Sequence, residues 1–168
     1  MEKKIWILTL SLSPKSKVTS ICILGLRSSK FWISNFFMGC SKPTIVVLYQ
    51  DNKDARHVKT YEVALKDKDF VEGPWSQNNL DNGADLLIPV PPPLCGVLII
   101  GEETIVYCSA SAFKAIPIRP SSTKAYGRVD PDGSRYLLGD YTGLLSLLVI
   151  SHEKEKYAIT HSLVSMLA

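Results

Sequence analysis

From Cys40 onward the chain alternates short apolar runs with polar or glycine-rich breaks, and no run keeps helical spacing for more than one turn. Residues 44–50 (TIVVLYQ) are a β-branched run bounded by Pro43 and by the polar cluster 51–54. Residues 57–65 (HVKTYEVAL) alternate, with Val58, Tyr61, Val63 and Leu65 apolar and Lys59, Thr60 and Glu62 polar. Both predict strands joined by a polar loop. A charged turn follows at 66–69, and Gly73-Pro74-Trp75 is expected to end the unit. The stretch 76–84 is polar, with Asn82-Gly83 as a turn signal.

A short strand is predicted over 85–90, stopped by Pro91-Pro92-Pro93, which lack the amide donors a ladder needs. Residues 96–100, the turn Gly101-Glu102-Glu103 and residues 104–108 predict a hairpin. Residues 113–118 (FKAIPI) predict an edge strand, because Pro117 sits inside it. After a polar loop, residues 128–132 lead into a strand over 134–138, a turn over 139–143 and a strand over 144–150.

These segments read as one unit written three times. LYQD (48–51), IIGE (99–102) and LLGD (137–140) each end an apolar strand in an acidic turn, after which an apolar strand returns. The gaps of 51 and 38 residues between equivalent positions bracket the roughly 40–50-residue period of a propeller blade. A blade buries its faces only against neighbouring blades, so repetition follows from burial. The expected fold is all-β, a partial β-propeller of about three blades, where closed rings have about four to eight.

Charge divides the chain. Residues 1–40 carry Lys3, Lys4, Lys15, Lys17, Arg27 and Lys30 against the single acid Glu2, so the formal net charge of +3 belongs to this stretch. The remainder is mildly acidic and has no electrostatic footprint for phosphate, which argues against a grip on nucleic acid by charge. Residues 1–38 are poorly patterned. Lys3-Lys4 before residues 5–12 resembles the start of a secretory signal, but the apolar run is short and Pro14-Lys15 interrupts it. The apolar patches 18–26 and 31–37 are also too short to span a membrane. No membrane partner is expected, and the nucleus, with the cytosol, is the expected location.

Candidate chemistry is sparse, and neither a catalytic residue, a cofactor site nor a metal site is expected. Cys22, Cys40, Cys95 and Cys108 show no C-x-x-C spacing and no clustered histidines, so buried free thiols are expected in place of zinc. Glu102 and Glu103 are adjacent in a turn, point apart and have no partner acid across a cleft; they read as a solvated hairpin. Asp130-Pro131-Asp132-Gly133 opens like a calcium loop, but its glycine comes too early and no terminal Glu follows, so a tight turn is expected. His57, His152 and His161 lie near no nucleophile motif and read as surface residues. Trp75 is expected to pack between blades. A secreted hydrolase using the acidic turns is the remote alternative.

The stretches GCSKPTIVVLYQD (39–51), RHVKTYEVALKDKDFVEGPW (56–75), VLIIGEETIVY (97–107) and GRVDPDGSRYLLGD (127–140) are far more specific than a generic propeller. They resemble the first propeller of the damaged-DNA-binding protein 1 family, in a form similar to plant versions. That family extends to the large subunit of the cleavage and polyadenylation specificity factor and a subunit of splicing factor 3b. The resemblance implies a WD40-like, seven-bladed ring within a long scaffold that is not an enzyme. In this family the scaffold links substrate-receptor proteins to a cullin-4 RING ubiquitin ligase. With a second subunit it recognises ultraviolet-damaged DNA for nucleotide-excision repair.

The resemblance covers residues 39–155, leaving 1–38 and 156–168 as non-matching ends, as in a truncated or alternatively spliced product. Because the second propeller docks the cullin, a chain of about three blades is expected not to bind it. Open flanks are expected to make the isolated chain prone to aggregate. An RNA-processing scaffold of the polyadenylation or splicing type, binding nucleic acid, is the alternative within the family.

Overall fold

Runs of β-branched residues and leucine, broken by glycine, proline and acidic turns, form twelve strands among the residues that the computed structural model describes, which are 17–24, 44–51, 53–64, 66–67, 69–153 and 156–163. They are β1 (Lys17–Leu24), β2 (Thr44–Gln50), β3 (Arg56–Ala64), β4 (Asp69–Leu80), β5 (Leu86–Pro89), β6 (Val97–Ile100), β7 (Thr104–Cys108), β8 (Phe113–Pro117), β9 (Thr123–Arg128), β10 (Arg135–Asp140), β11 (Leu145–Glu153) and β12 (Lys156–Leu163). Each consecutive set of four is an antiparallel meander, giving sheets β1-β2-β3-β4, β5-β6-β7-β8 and β9-β10-β11-β12. The acidic turns after Gln50, Ile100 and Asp140 all join the second strand of a sheet to the third, so the threefold repeat in the sequence is a threefold repeat of blades.

The middle sheet is buried on both faces. Every residue of β6 is at most 1% exposed. Side chains alternate across it with the period of two that a pleated strand imposes. Leu87, Val97, Ile99, Val106 and Cys108 join Val46, Leu48, Val58 and Leu80 of the first sheet in one core. Ile88, Leu98, Ile100, Ile105 and Tyr107 join Tyr136, Leu138, Leu148, Ile150 and Ile159 of the third sheet in another. Each such aliphatic side chain contributes about 1.5–3 kcal/mol by leaving water. Trp75 packs against the first core, between two blades as its sequence context suggested.

Three features differ from the sequence reading. Gly73-Pro74-Trp75 does not end the first unit but lies inside β4, which runs on to Leu80. The strand tolerates Pro74 because it is an outer strand whose register against β3 shifts between Lys59 and Tyr61. Thr60 fills that irregularity: its Oγ1 accepts the Trp75 amide at 3.2 Å and donates to the Trp75 carbonyl, in space left by the missing side chain of Gly73. Second, the polar loop expected after Ile118 contains β9, an outer strand exposed along most of its length and therefore without hydrophobic alternation. Third, Gly139 belongs to β10, not to the turn.

The poorly patterned N-terminal stretch contributes β1, and the tail beyond Glu155 contributes β12. The apolar runs at 5–12 and 31–37, with Cys40, lie outside the described residues. Among those described, no helix is long and apolar enough to cross a membrane.

Candidate functional site

The three strand-2 to strand-3 turns are tied into one rim by the loops between blades. Arg56 Nε, at the start of β3, donates to the Asn82 carbonyl at 3.1 Å. Asp81, in the same interblade loop, holds the turn of the middle blade. The next interblade loop bonds to that turn through the Ile118 and Ser121 amides, on the Glu103 and Glu102 carbonyls. It then reaches the third turn, where the Tyr141 amide donates to the Ser122 carbonyl at 3.2 Å.

Acid side chains build these turns from within. Asp51 Oδ1 accepts the amides of Lys53 at 2.8 Å and Ala55 at 2.9 Å. Asp140 Oδ1 accepts those of Thr142 at 2.8 Å and Leu144 at 3.0 Å, and Thr142 Oγ1 as well. The Lys53 amide leads in holding the Asp51 carboxyl below its ordinary range, as the Thr142 hydroxyl does for Asp140. These carboxylates are occupied in closing hairpins. In the middle blade Glu102 and Glu103 are exposed, as a solvated turn should be, and the closing carboxylate comes from Asp81.

The Asp130-Pro131-Asp132-Gly133 segment is a tight turn at the start of β10. Ser134 Oγ donates to Asp130 Oδ2 and Asp132 Oδ1, at 3.0 and 2.7 Å. Arg135 grips Asp130 with both Nε and Nη2 and is the main cause of its lowered pKa. Gly133, at φ 74°, turns the chain where a side chain would strike the ring of Pro91, so the turn seats the third blade on the second. Among the described residues no group of three or more His, Cys, Asp or Glu is placed to hold a metal ion.

Two of the three histidines depart from the surface reading. His57 keeps only 12% of its side chain exposed. Its Nε2 lies 3.2 Å from Asp51 Oδ2 and its Nδ1 3.2 Å from Asn78 Oδ1, with the Tyr49 ring beside it. It staples β2, β3 and β4 on the outward face of the first sheet; the polar neighbours needed for this come from separate strands, so no local motif announced it. His161, in β12, is half-buried, and burial lowers its pKa. It lines a crevice of about 780 Å3 between the 118–122 loop and the third sheet, together with Ile118, Arg119, Leu138, Asp140 and Leu144. His152 is exposed. Cys108 is buried, which pushes its thiol up to about 12, and Cys95 is half-buried; both are free thiols.

What the rim presents to solvent is varied. Lys53, Asp54, Glu102 and Glu103 are exposed on the first two blades, and Arg119 stands on the loop after the second. The third blade offers Tyr141 and Leu144, 73% and 56% exposed. Large apolar residues on loop tips are contact groups in search of a surface, and no nucleophile–base pair stands beside them.

Stacked four-stranded meanders with alternately buried faces define a protein of the β-propeller class. The chain belongs to the family described as the RSE1/DDB1/CPSF1 first beta-propeller, whose model matches residues 9–167. It is 88% identical over 121 residues to DNA damage-binding protein 1a of Arabidopsis thaliana, covering 72% of this chain and 11% of that protein. The same identity and coverage relate it to DNA damage-binding protein 1 of Solanum lycopersicum. The protein of that name in Oryza sativa subsp. japonica is 80% identical over 122 residues. The chain thus spans about a ninth of the length of these relatives.

Proposed function

We propose that this chain carries part of the first propeller of a non-catalytic scaffold that serves as adaptor of a cullin-4 RING ubiquitin ligase in the recognition and repair of ultraviolet-damaged DNA. The observation that carries the reading is the 88% identity over 121 residues to proteins named DNA damage-binding protein 1. The rim agrees with it: its acids close turns, and its exposed groups are suited to contact. Partner proteins, the substrate receptors, are bound by the complete propeller assembly, and damaged DNA is met through a second subunit. The mildly acidic body is consistent with a scaffold that leaves the phosphate contact to its partner. The nucleus is the working location, and residues 39–155 are the segment that carries the relatives' sequence, with 1–38 and 156–168 as flanks of their own.

Affinity purification from plant nuclear extract tests the reading, with this chain and the full-length tomato relative as parallel baits. The relative is expected to bring down cullin-4 and receptor proteins, and this chain to bring down no cullin-4. Recovery of polyadenylation or splicing factors in place of receptors would sink the ligase reading. Cullin-4 on the short chain alone would sink its assignment to a fragment lacking the cullin-docking part.

A further inference from the structure

The outer strands of a sheet expose unpaired amides and carbonyls that template pairing with another chain, and proteins blunt them with proline, charge or irregular register. Three of the outer strands here are blunted. Strand β4 has Pro74, the exposed acids Asp69 and Glu72 and shifted register. Strand β8 ends in Pro117 and exposes Lys114. Strand β9 exposes Lys124 and Arg128, and its register against β10 shifts at Asp140. Strand β5 ends in Pro89 and lies against β1.

Strand β12 has none of these devices. It pairs with β11 in unbroken register over eight residue pairs, from Ser146 with Leu163 to Glu153 with Lys156. Among the described residues β11 is its one sheet neighbour. Ala158, Thr160 and Ser162 are exposed, small and uncharged. On its other face Ile159 is buried and His161 half-buried, with burial favouring the neutral imidazole. No side chain from 158 to 162 therefore carries charge near neutral pH.

We propose that β12 is a self-association edge, on which a second copy of this chain adds its own β12 antiparallel to make a continuous eight-stranded sheet. A two-fold axis perpendicular to the sheet relates the copies and keeps like faces on the same side. The uncharged centre of the strand is what lets a two-fold-related copy approach, since every charge at such an edge would meet its own kind. The inference is independent of the ligase reading.

Sedimentation velocity on the full chain across a concentration series tests it, with Thr160→Lys, Thr160→Glu and their equimolar mixture. Thr160 is exposed, so both variants are expected to keep the parent circular dichroism and melting temperature. The parent should dimerise with concentration, and each variant alone should weaken the dimer about fivefold or more. The mixture should recover it, because opposite charges then meet across the axis. A monomer throughout the series, or association indifferent to both substitutions, would overturn the proposal. Association that survives both but is lost in Leu147→Lys would also overturn it, by moving the contact to the outward face of the third sheet.

Discussion

The carboxylate of Asp81 occupies the space that a side chain on Gly101 would fill, with Oδ2 only 2.5 Å from the position of a Cβ there. Gly101 stands where Asp51 and Asp140 stand in the other blades: its amide donates to the carbonyl that closes the turn, at Thr104, as theirs do to Ala55 and Leu144. The middle blade has thus lost the acid from its own turn and borrows one from the preceding loop. Asp81 Oδ2 accepts the amides of Glu103 at 2.7 Å and Thr104 at 3.0 Å, while Oδ1 accepts that of Gly83 at 2.8 Å. One carboxylate closes two turns and couples the first blade to the second.

Asp81→Ala should therefore cost about 1.5–3 kcal/mol in urea unfolding, the range for hydrogen bonds to a charged group. Gly101→Asp alone should also destabilise, because two carboxylates then claim one space. Combined, the substitutions should recover a large part of the loss, since the turn would be closed by its own residue as in the flanking blades. Additive losses in the double variant would refute this substitution of one carboxylate for another.

Gly133 and Gly143 separate backbone strain from steric conflict. Both have positive φ, 74° and 86°, but a methyl at 133 strikes Pro91 whereas at 143 it meets open space. Gly133→Ala should cost about 2–4 kcal/mol and Gly143→Ala about 1 kcal/mol, read from denaturant midpoints. Equal losses would mean that the seating of the third blade on Pro91 contributes nothing.

Stability should fall on acidification in two windows. Burial lowers the His161 pKa from its ordinary 6.5, so the unfolded chain binds the proton more readily. Its contribution is complete above pH 6.5 and is lost as pH falls from there through the lowered value. Asp51, Asp130, Asp132 and Asp140 are held below the ordinary 3.8, so their contributions are complete above that value and are lost as pH falls through the lowered ones. In His161→Gln the melting temperature should change less between pH 7.5 and 5.5 than in the parent. In Asp140→Asn the loss below pH 4 should be shallower.

The two faces of β11 should respond in opposite ways. Leu148 is fully buried against the middle sheet, and Leu148→Ala should cost about 2–5 kcal/mol. Leu145, Leu147 and Val149 point outward, half-buried, in a face that would be a blade contact in a longer ring. Leu147→Lys should lower binding of an apolar dye and raise the solubility limit with little loss of stability. Unchanged dye binding would show that this face is not what drives association.

The strands with an apolar face were legible because burial writes a period of two into the chain: β2, β3, β6, β7, β10 and β11 are all readable as runs. The acidic turns were legible because an acid beside glycine or polar residues closes a hairpin locally. Strand β9 was not, because a strand exposed on both sides is under no pressure to alternate. The extent of β4 was hidden because Gly73-Pro74 signals a stop, and only Thr60 on the neighbouring strand explains why the strand continues.

By itself, then, the sequence determined an all-β chain of three repeated units and, through 39–51, 56–75, 97–107 and 127–140, the family it belongs to. Local pattern suffices for this, because the hydrogen bonds of a hairpin and the alternation of its side chains are short-range properties. Tertiary structure alone decided that Asp81 serves the turn of another hairpin, that His57 is drawn into a staple with Asp51 and Asn78, and that β12 presents an unguarded edge. Each depends on which strands become neighbours, and that is set by the stacking of whole sheets, in which residues far apart in the chain share one core.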